Sequence, residues 1–287
     1  MKKTLIALAV LAASSASMAQ VTLYGVADVA LGAVSGPAGS KSDLNLQTNN
    51  PINDGNSRWG IKVVEDLGGG LKATAQFEQN IDYSTGAINV NNGAIGNTAN
   101  PGTTDVQSRY AYLALDGGFG RIKAGRTLTP TFFGVAAWEL TGAANFSVVA
   151  GQFAFAGAGP RNSRELSYTT PSMGGFSATL GYVTELDGIE NGGLGSKIDA
   201  NAIYAAGPLA VGLSYWKNDK VAAGASTDGN YALGANYNFG SFIVAGSFQD
   251  PAGASQGWTL GGSVPMGPWK FTVDVAQDTG SDDTNYL

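Results

Sequence analysis

Apolar and polar side chains alternate with a period of two along most of the chain. Residues 71–83 show it most clearly. Leu71, Ala73, Ala75, Phe77, Ile81 and Tyr83 share one parity; Lys72, Thr74, Gln76, Glu78, Asn80 and Asp82 share the other. Successive side chains of a strand point to opposite faces, so this segment predicts a strand with one apolar and one polar side. Its length of about 13 residues exceeds the usual about 5–6 of soluble sandwich strands. It meets the ~9–11 that a tilted membrane-spanning strand needs. The pattern recurs, predicting strands near 21–33, 57–67, 71–84, 106–116, 121–128, 164–171, 175–185, 197–206, 208–218, 229–239, 241–250, 257–265 and 268–277.

The connections between these strands fall into two classes. Residues 68–70, 117–120, 172–175, 207–208, 240–241 and 266–268 are tight, glycine-rich turns. Residues 34–56, 85–105, 129–163, 186–196, 219–228 and 278–285 are long and mostly polar. Short turns on one rim and long loops on the other is the arrangement of outer-membrane barrels. Trp59, Tyr182, Tyr215, Phe239, Trp258 and Trp269 sit at strand ends, where two interfacial aromatic girdles would place them. The predicted fold is therefore all-β: a transmembrane antiparallel up-and-down β-barrel.

Composition narrows the alternatives. Lys2 and Lys3, the apolar run 5–13, and the small residues Ser17 and Ala19 form an export signal, with the mature chain starting at Gln20. That divides the chain into a signal peptide, 1–19, and a barrel domain, 20–287. A membrane anchor is the competing assignment, but the apolar run falls far short of ~20 residues. Mean hydropathy is -0.00. With 13% charged residues and no long apolar run, a soluble β-protein or a transmembrane barrel remains. The 42 glycines, about twice the usual share, suit many strands joined by tight turns. There are no cysteines, so this exported chain uses no disulfides. There are no histidines, which removes histidine-based catalysis and histidine metal sites. A net charge of -6 argues against nucleic acid as a partner. Glu65 and Asp66 are solvated rim charges rather than a catalytic pair. Asp278, Asp282 and Asp283 lack calcium-loop spacing, and 68–70 is not a phosphate loop. No cofactor, metal or catalytic residue is expected.

Several segments resemble the Gram-negative general porins, particularly the branch of the beta-proteobacteria. The run Val21, Thr22, Leu23, Tyr24, Gly25, Val26, Ala27, Asp28 looks like that family's opening strand. Ser57, Arg58, Trp59 and Gly60, followed by residues 65–73, are similar to its second hairpin. Residues 109–113, then Phe119, Gly120, Arg121 and Gly125, Arg126, resemble its fourth and fifth strands. Asn162, Ser163 and residues 168–171 resemble the exit from its third loop. The resemblance covers nearly all of 20–287. It implies an outer-membrane location, a sixteen-stranded barrel and a homotrimer surrounded by lipid and lipopolysaccharide. It also implies a third loop folded into the lumen and a water-filled channel for small hydrophilic solutes. The longest connection, 129–163, lies where that loop should be. Its Phe132, Phe133, Val135, Trp138, Phe146, Val148, Val149, Phe153 and Phe155 call for a packing surface.

The resemblance matches Arg58 and Arg109 to wall arginines at the constriction, and Arg126 to an arginine at the start of the third loop. Alternation bears on the first two. Trp59, Ile61 and Val63 face lipid, so Arg58 and Lys62 face the lumen; Tyr110 and Tyr112 are expected to face lipid, placing Arg109 inward. An arginine facing lipid at the midplane would cost roughly 2–4 kcal/mol. Lys72 and Lys123 are lumen-facing by parity, and Arg161 and Arg164 lie near the loop exit. The family's wall arginine in strand six is missing near Thr169. The only acid in 129–163 is Glu139, expected as the counter-charge at the constriction. Several cations against one carboxylate predict a mild anion preference, since charges act over about 8 Å at physiological salt. A substrate-selective channel for sugars or organic acids is the alternative; it would want aromatic side chains inside, and parity points most of them outward. A membrane hydrolase would need a nucleophile with a base.

One expectation concerns closure. Thirteen strands, with a fourteenth beginning at Asn285, Tyr286 and Leu287, are about three short of sixteen. Bacterial single-chain barrels need an even number, and an unpaired edge is not tolerated in lipid. On this count the chain is expected to be C-terminally truncated and unable to close as a sixteen-stranded pore.

Overall fold

The computed structural model describes residues 19–33, 43–86, 88, 108–184, 195–219, 227–251, 255–280 and 285–286. Residues 1–18, which hold nearly all of the expected export signal 1–19, and the connections at 34–42, 89–107, 185–194, 220–226 and 281–284 lie outside the described residues. A single meandering antiparallel sheet of fourteen strands forms the wall. In chain order the strands are β1 (Gln20–Val26), β4 (Arg58–Gly68), β5 (Leu71–Asn80), β6 (Ser108–Gly117), β7 (Gly120–Leu128), β8 (Arg161–Thr169) and β9 (Phe176–Val183). They continue with β10 (Lys197–Ala206), β11 (Leu209–Asn218), β12 (Asn230–Asn238), β13 (Ile243–Asp250), β14 (Gly257–Met266), β15 (Trp269–Asp278) and β16 (Asn285–Tyr286). Every strand pairs with its neighbour in this order, as the alternation predicts. Among the described residues no pairing joins β1 to β16, so the barrel is not closed.

The first strand departs from expectation. The segment 21–33 is not continuous: it breaks at Ala27 and Asp28, and β2 (Val29–Gly32) pairs with β3 (Asn45–Thr48) in a separate two-stranded sheet. Side-chain competition for the backbone explains the break. The Asp28 carboxylate accepts from Asn53 Nδ2 and Gly55 N, both at 2.8 Å, and Ser57 Oγ accepts from Asp28 N at 2.8 Å. The predicted loop 34–56 therefore contains a strand.

Burial runs opposite to that of a soluble protein. Along β10, Lys197, Asp199 and Asn201 are buried, whereas Ile198 and Tyr204 are exposed. Leu213, Leu233, Leu260 and Val273 project outward from β11, β12, β14 and β15. Each strand thus turns its apolar side toward lipid and its polar side toward the lumen. Among the described residues no helix is long and apolar enough to cross a membrane.

Among the described residues, an apolar core cluster lies inside the wall. It belongs to the connection between β7 and β8, which carries α1 (Pro130–Ala136) and α2 (Val148–Phe153). Val135, Trp138, Val149, Ala150, Phe155 and Ala156 pack together and against Ala232 of β12. Thr129 and Ser147 cap the two helices through their hydroxyls. The wall holds this loop with polar side chains. Asp199 Oδ1 accepts from Thr131 N and Thr131 Oγ1 at 2.9 and 2.7 Å. Asn201 Nδ2 donates to Pro130 O, Trp216 Nε1 to Ala156 O, Asn236 Nδ2 to Trp138 O and Lys270 Nζ to Leu140 O. On the far side, Asn145 Nδ2 donates to Asn56 Oδ1 at 2.8 Å. The loop thus reaches from β10–β15 to the segment that leads into β4.

Two wall glycines make room for it. A Cβ on Gly212 would collide with Gly134 O, and one on Gly234 with the Trp138 indole. Gly234→Leu is therefore expected to lift Trp138 off β12. Overpacking of this kind costs about 1–3 kcal/mol. Limited proteolysis should then cut within 129–160, where the unaltered chain is expected to resist. Unchanged resistance would show that the loop does not depend on this close approach.

Candidate functional site

The site is built on the inward faces of β1, β4, β5 and β6 around Glu78. This buried carboxylate lies on the polar parity of β5. Arg109 Nε donates to Glu78 Oε1 at 2.6 Å, and Arg58 Nε lies 3.6 Å from Oε2. Tyr24 OH donates to Oε2 at 2.8 Å. The tyrosine reaches across Gly60, where a Cβ would meet its ring and hydroxyl. The network continues along the wall: Gln76 Nε2 donates to Tyr24 OH at 2.6 Å, and Tyr112 OH donates to Gln76 Oε1 at 2.6 Å. Arg109 Nη1 also donates to Asn80 Oδ1, and Arg58 Nη1 to Asn56 O. Glu78 is not among the sequence-derived candidates. Its place among the polar residues of 71–83 is the one signal in the sequence that points to it.

Arg109 reaches Glu78 by a different route from the expected one. Tyr110 pairs with Glu78 and Tyr112 with Gln76, both inward positions, so both tyrosines face the lumen rather than lipid. Leu113 takes the outward place. The register shifts between Glu78 and Gln79, whose partner is Ser108, leaving Arg109 without a partner in β5. An extra residue in one strand forms a β-bulge, which re-aims its side chain. The bulge, not parity, brings Arg109 inward.

Arg161 joins the group from β8. Its guanidinium lies 5.9 Å from the centre of the Tyr110 ring. Arg58, Glu78, Arg109, Tyr110 and Arg161 line a cavity of about 440 Å³, closed on its other side by Phe132 and Phe155 of the loop. Asp28 and Asp54 also line it, so three guanidiniums and three carboxylates share the cavity; Glu78 takes Arg58 and Arg109. The other candidates lie elsewhere. Arg126 Nη1 donates to Ser163 Oγ at 2.6 Å, and Arg164 sits in a second bulge with φ 56°. Neither lines the cavity. Lys123 lies between the Tyr112 and Phe133 rings. Lys72 stands opposite Asp66 and Asp116, which offset its charge, and Lys62 opposite Thr22 and Gln76.

Glu139 is not the counter-charge to these arginines. Its carboxylate accepts from Thr141 N, Thr141 Oγ1, Ala143 N and Ser147 Oγ, at 2.6–2.9 Å. A short loop turn with exposed backbone donors captured it, so it organises the loop from within.

A charged, cavity-lining cluster on a membrane-spanning sheet, narrowed by an inserted loop, describes an aqueous passage. The model of the Gram-negative porin family matches residues 4–286. The chain belongs to that family. It is 35% identical over 286 residues to outer membrane porin protein 32 of Delftia acidovorans, covering 93% of this chain and 77% of the relative. It is 30% identical to an outer membrane porin protein of Bordetella pertussis, covering 93% of this chain and 73% of that one. Among solved structures, the anion-selective porin from Comamonas acidovorans superposes with a TM-score of 0.71 at 28% identity, covering 93% of this chain and 81% of that one. The porin is thus an outer-membrane protein of Gram-negative bacteria that allows passive diffusion; it is a channel and not an enzyme.

Within this porin, Glu78→Gln is expected to leave Arg58 and Arg109 without a compensating charge. Reversal potentials in a KCl gradient should move toward the anion limit. Folding should weaken, because breaking a buried ion pair costs about 3–5 kcal/mol. A reversal potential that stays in place would show that Glu78 does not sense the permeating ions.

Proposed function

We propose that the cluster around Glu78 is the selectivity constriction of this porin, and that small hydrophilic solutes and ions pass with a mild preference for anions. The observation that carries this reading is the grouping of Arg58, Arg109 and Arg161 on one stretch of the cavity wall around Glu78, while Asp28, also in the lining, is bonded to the turn at Asn53 and Gly55. Fixed charge at the narrowest point governs which ions pass. Fixed charges are felt over about 8 Å at physiological salt, so these guanidiniums would act on an ion that enters the cavity. The likeness to a solved porin described as anion-selective supports the same sign. We assign Arg58, Arg109 and Arg161 as the anion-attracting groups; Lys62 and Lys123 extend the positive wall toward the short-turn rim. Arg126 and Arg164 stand at the loop's ends. We further propose that residues 1–19 are removed on export. The mature chain then forms a homotrimer among lipid and lipopolysaccharide, as the family resemblance implies.

The test is electrical. Full-length protein reconstituted in planar bilayers should give ohmic conductance. Arg58→Gln combined with Arg109→Gln should shift the reversal potential toward cations in a salt gradient. If the potential does not move, these arginines do not set selectivity.

A further inference from the structure

The inner wall carries an arrangement that the ion pair at Glu78 does not use. Tyr110 and Tyr112 stand edge to face on β6, ring centroids 5.8 Å apart and planes at 87°. A cation stands at each end. The Arg161 guanidinium is 5.9 Å from the Tyr110 ring centre, and Lys123 Nζ is 5.6 Å from that of Tyr112. The order Arg161, Tyr110, Tyr112, Lys123 runs down the wall, because Tyr110 is level with Glu78 and Tyr112 with Gln76, two residues nearer the short-turn rim. Rings also face this column from the loop. Phe133 lies 5.7 Å from Lys123 Nζ, and Phe132 packs edge-on against Phe133 at 5.8 Å. Among the described residues neither Arg161 nor Lys123 forms an ion pair. Arg161 Nε is buried and has no hydrogen-bond partner.

A solute that satisfies both ends of this chemistry needs an anionic head and a flat apolar body. The head would take the unpaired donors of Arg161 or Lys123. The body would lie against the tyrosine and phenylalanine rings. Chloride uses only the cations, acetate gains almost nothing from the rings, and benzyl alcohol lacks the charge. We propose that this column is a binding track for aromatic carboxylates, which dwell in the pore while inorganic ions and aliphatic acids pass freely. The track rests on the channel reading above and adds a class of solute that binds.

The experiment measures block of KCl current through full-length protein by benzoate, acetate and benzyl alcohol, each protein normalised to its own KCl conductance. Benzoate should block saturably, with a half-blocking concentration roughly several-fold to ten-fold below that of acetate. Benzyl alcohol should not block. Tyr110→Leu combined with Tyr112→Leu keeps apolar bulk on the wall and should bring benzoate to the level of acetate. Equal block by benzoate and acetate in the unaltered chain would overturn the track, as would an unchanged ratio in the double variant. If no KCl conductance is seen, the channel reading fails, and the track is decided by calorimetry on detergent-folded protein. Saturable heat with benzoate that the double variant loses supports it, and no heat overturns it.

Discussion

Lipid offers no hydrogen-bond partner to a peptide group, and the rest of this structure follows from that constraint. Each wall strand finds its partners in the strands beside it, so the sheet runs without interruption from β1 to β16. Because side chains alternate, pairing every strand also sorts every residue, apolar outward and polar inward. The familiar relation between burial and hydrophobicity is thereby reversed: Asp199, Gln249 and Glu165 are among the most buried side chains, while Leu23 and Val273 are among the most exposed.

A polar-lined interior creates the second requirement, which is to position a long loop within it. The loop brings its own apolar cluster and presses one side of it on Ala232. Directional bonds from Asp199, Asn201, Trp216, Asn236 and Lys270 then set its place on the wall. Glycines at the closest approaches let backbone and indole lie flat on the sheet. Asp199 is itself held by Lys197, whose amine stands 3.2 Å from it and 4.6 Å from the Trp216 ring centre. The loop reaches Asn56, so the passage is squeezed between its phenylalanines and the arginine-bearing wall.

On the proposed reading, Glu78 couples stability to selectivity. A buried carboxylate must be paired, and its partners are the same guanidiniums proposed to meet a permeating ion. The Tyr24–Gln76–Tyr112 hydrogen bonds carry this arrangement across β1, β5 and β6. A change at any of these positions therefore acts on the field in the passage as well as on the wall.

The amino-acid sequence by itself determined the wall. Period-two alternation, glycine turns and strand length are local properties. They placed twelve of the strands within a few residues, assigned the outward face of β4, and located the long third loop. The inward aim of Arg58 was also legible, because β4 keeps strict parity up to it. Tertiary structure decided the site. Regular pairing with Glu78 and Gln76 turned Tyr110 and Tyr112 inward, and a single bulge opposite Gln79 re-aimed Arg109 against the parity of its strand. Asp28 ended the first strand by bonding a turn 25 residues away. Glu139 went to nearby loop donors, and Glu78 took the arginines, because a carboxylate pairs with whatever the fold brings within reach. Local pattern cannot encode register shifts or long-range partners, and the chemistry of the passage depends on both.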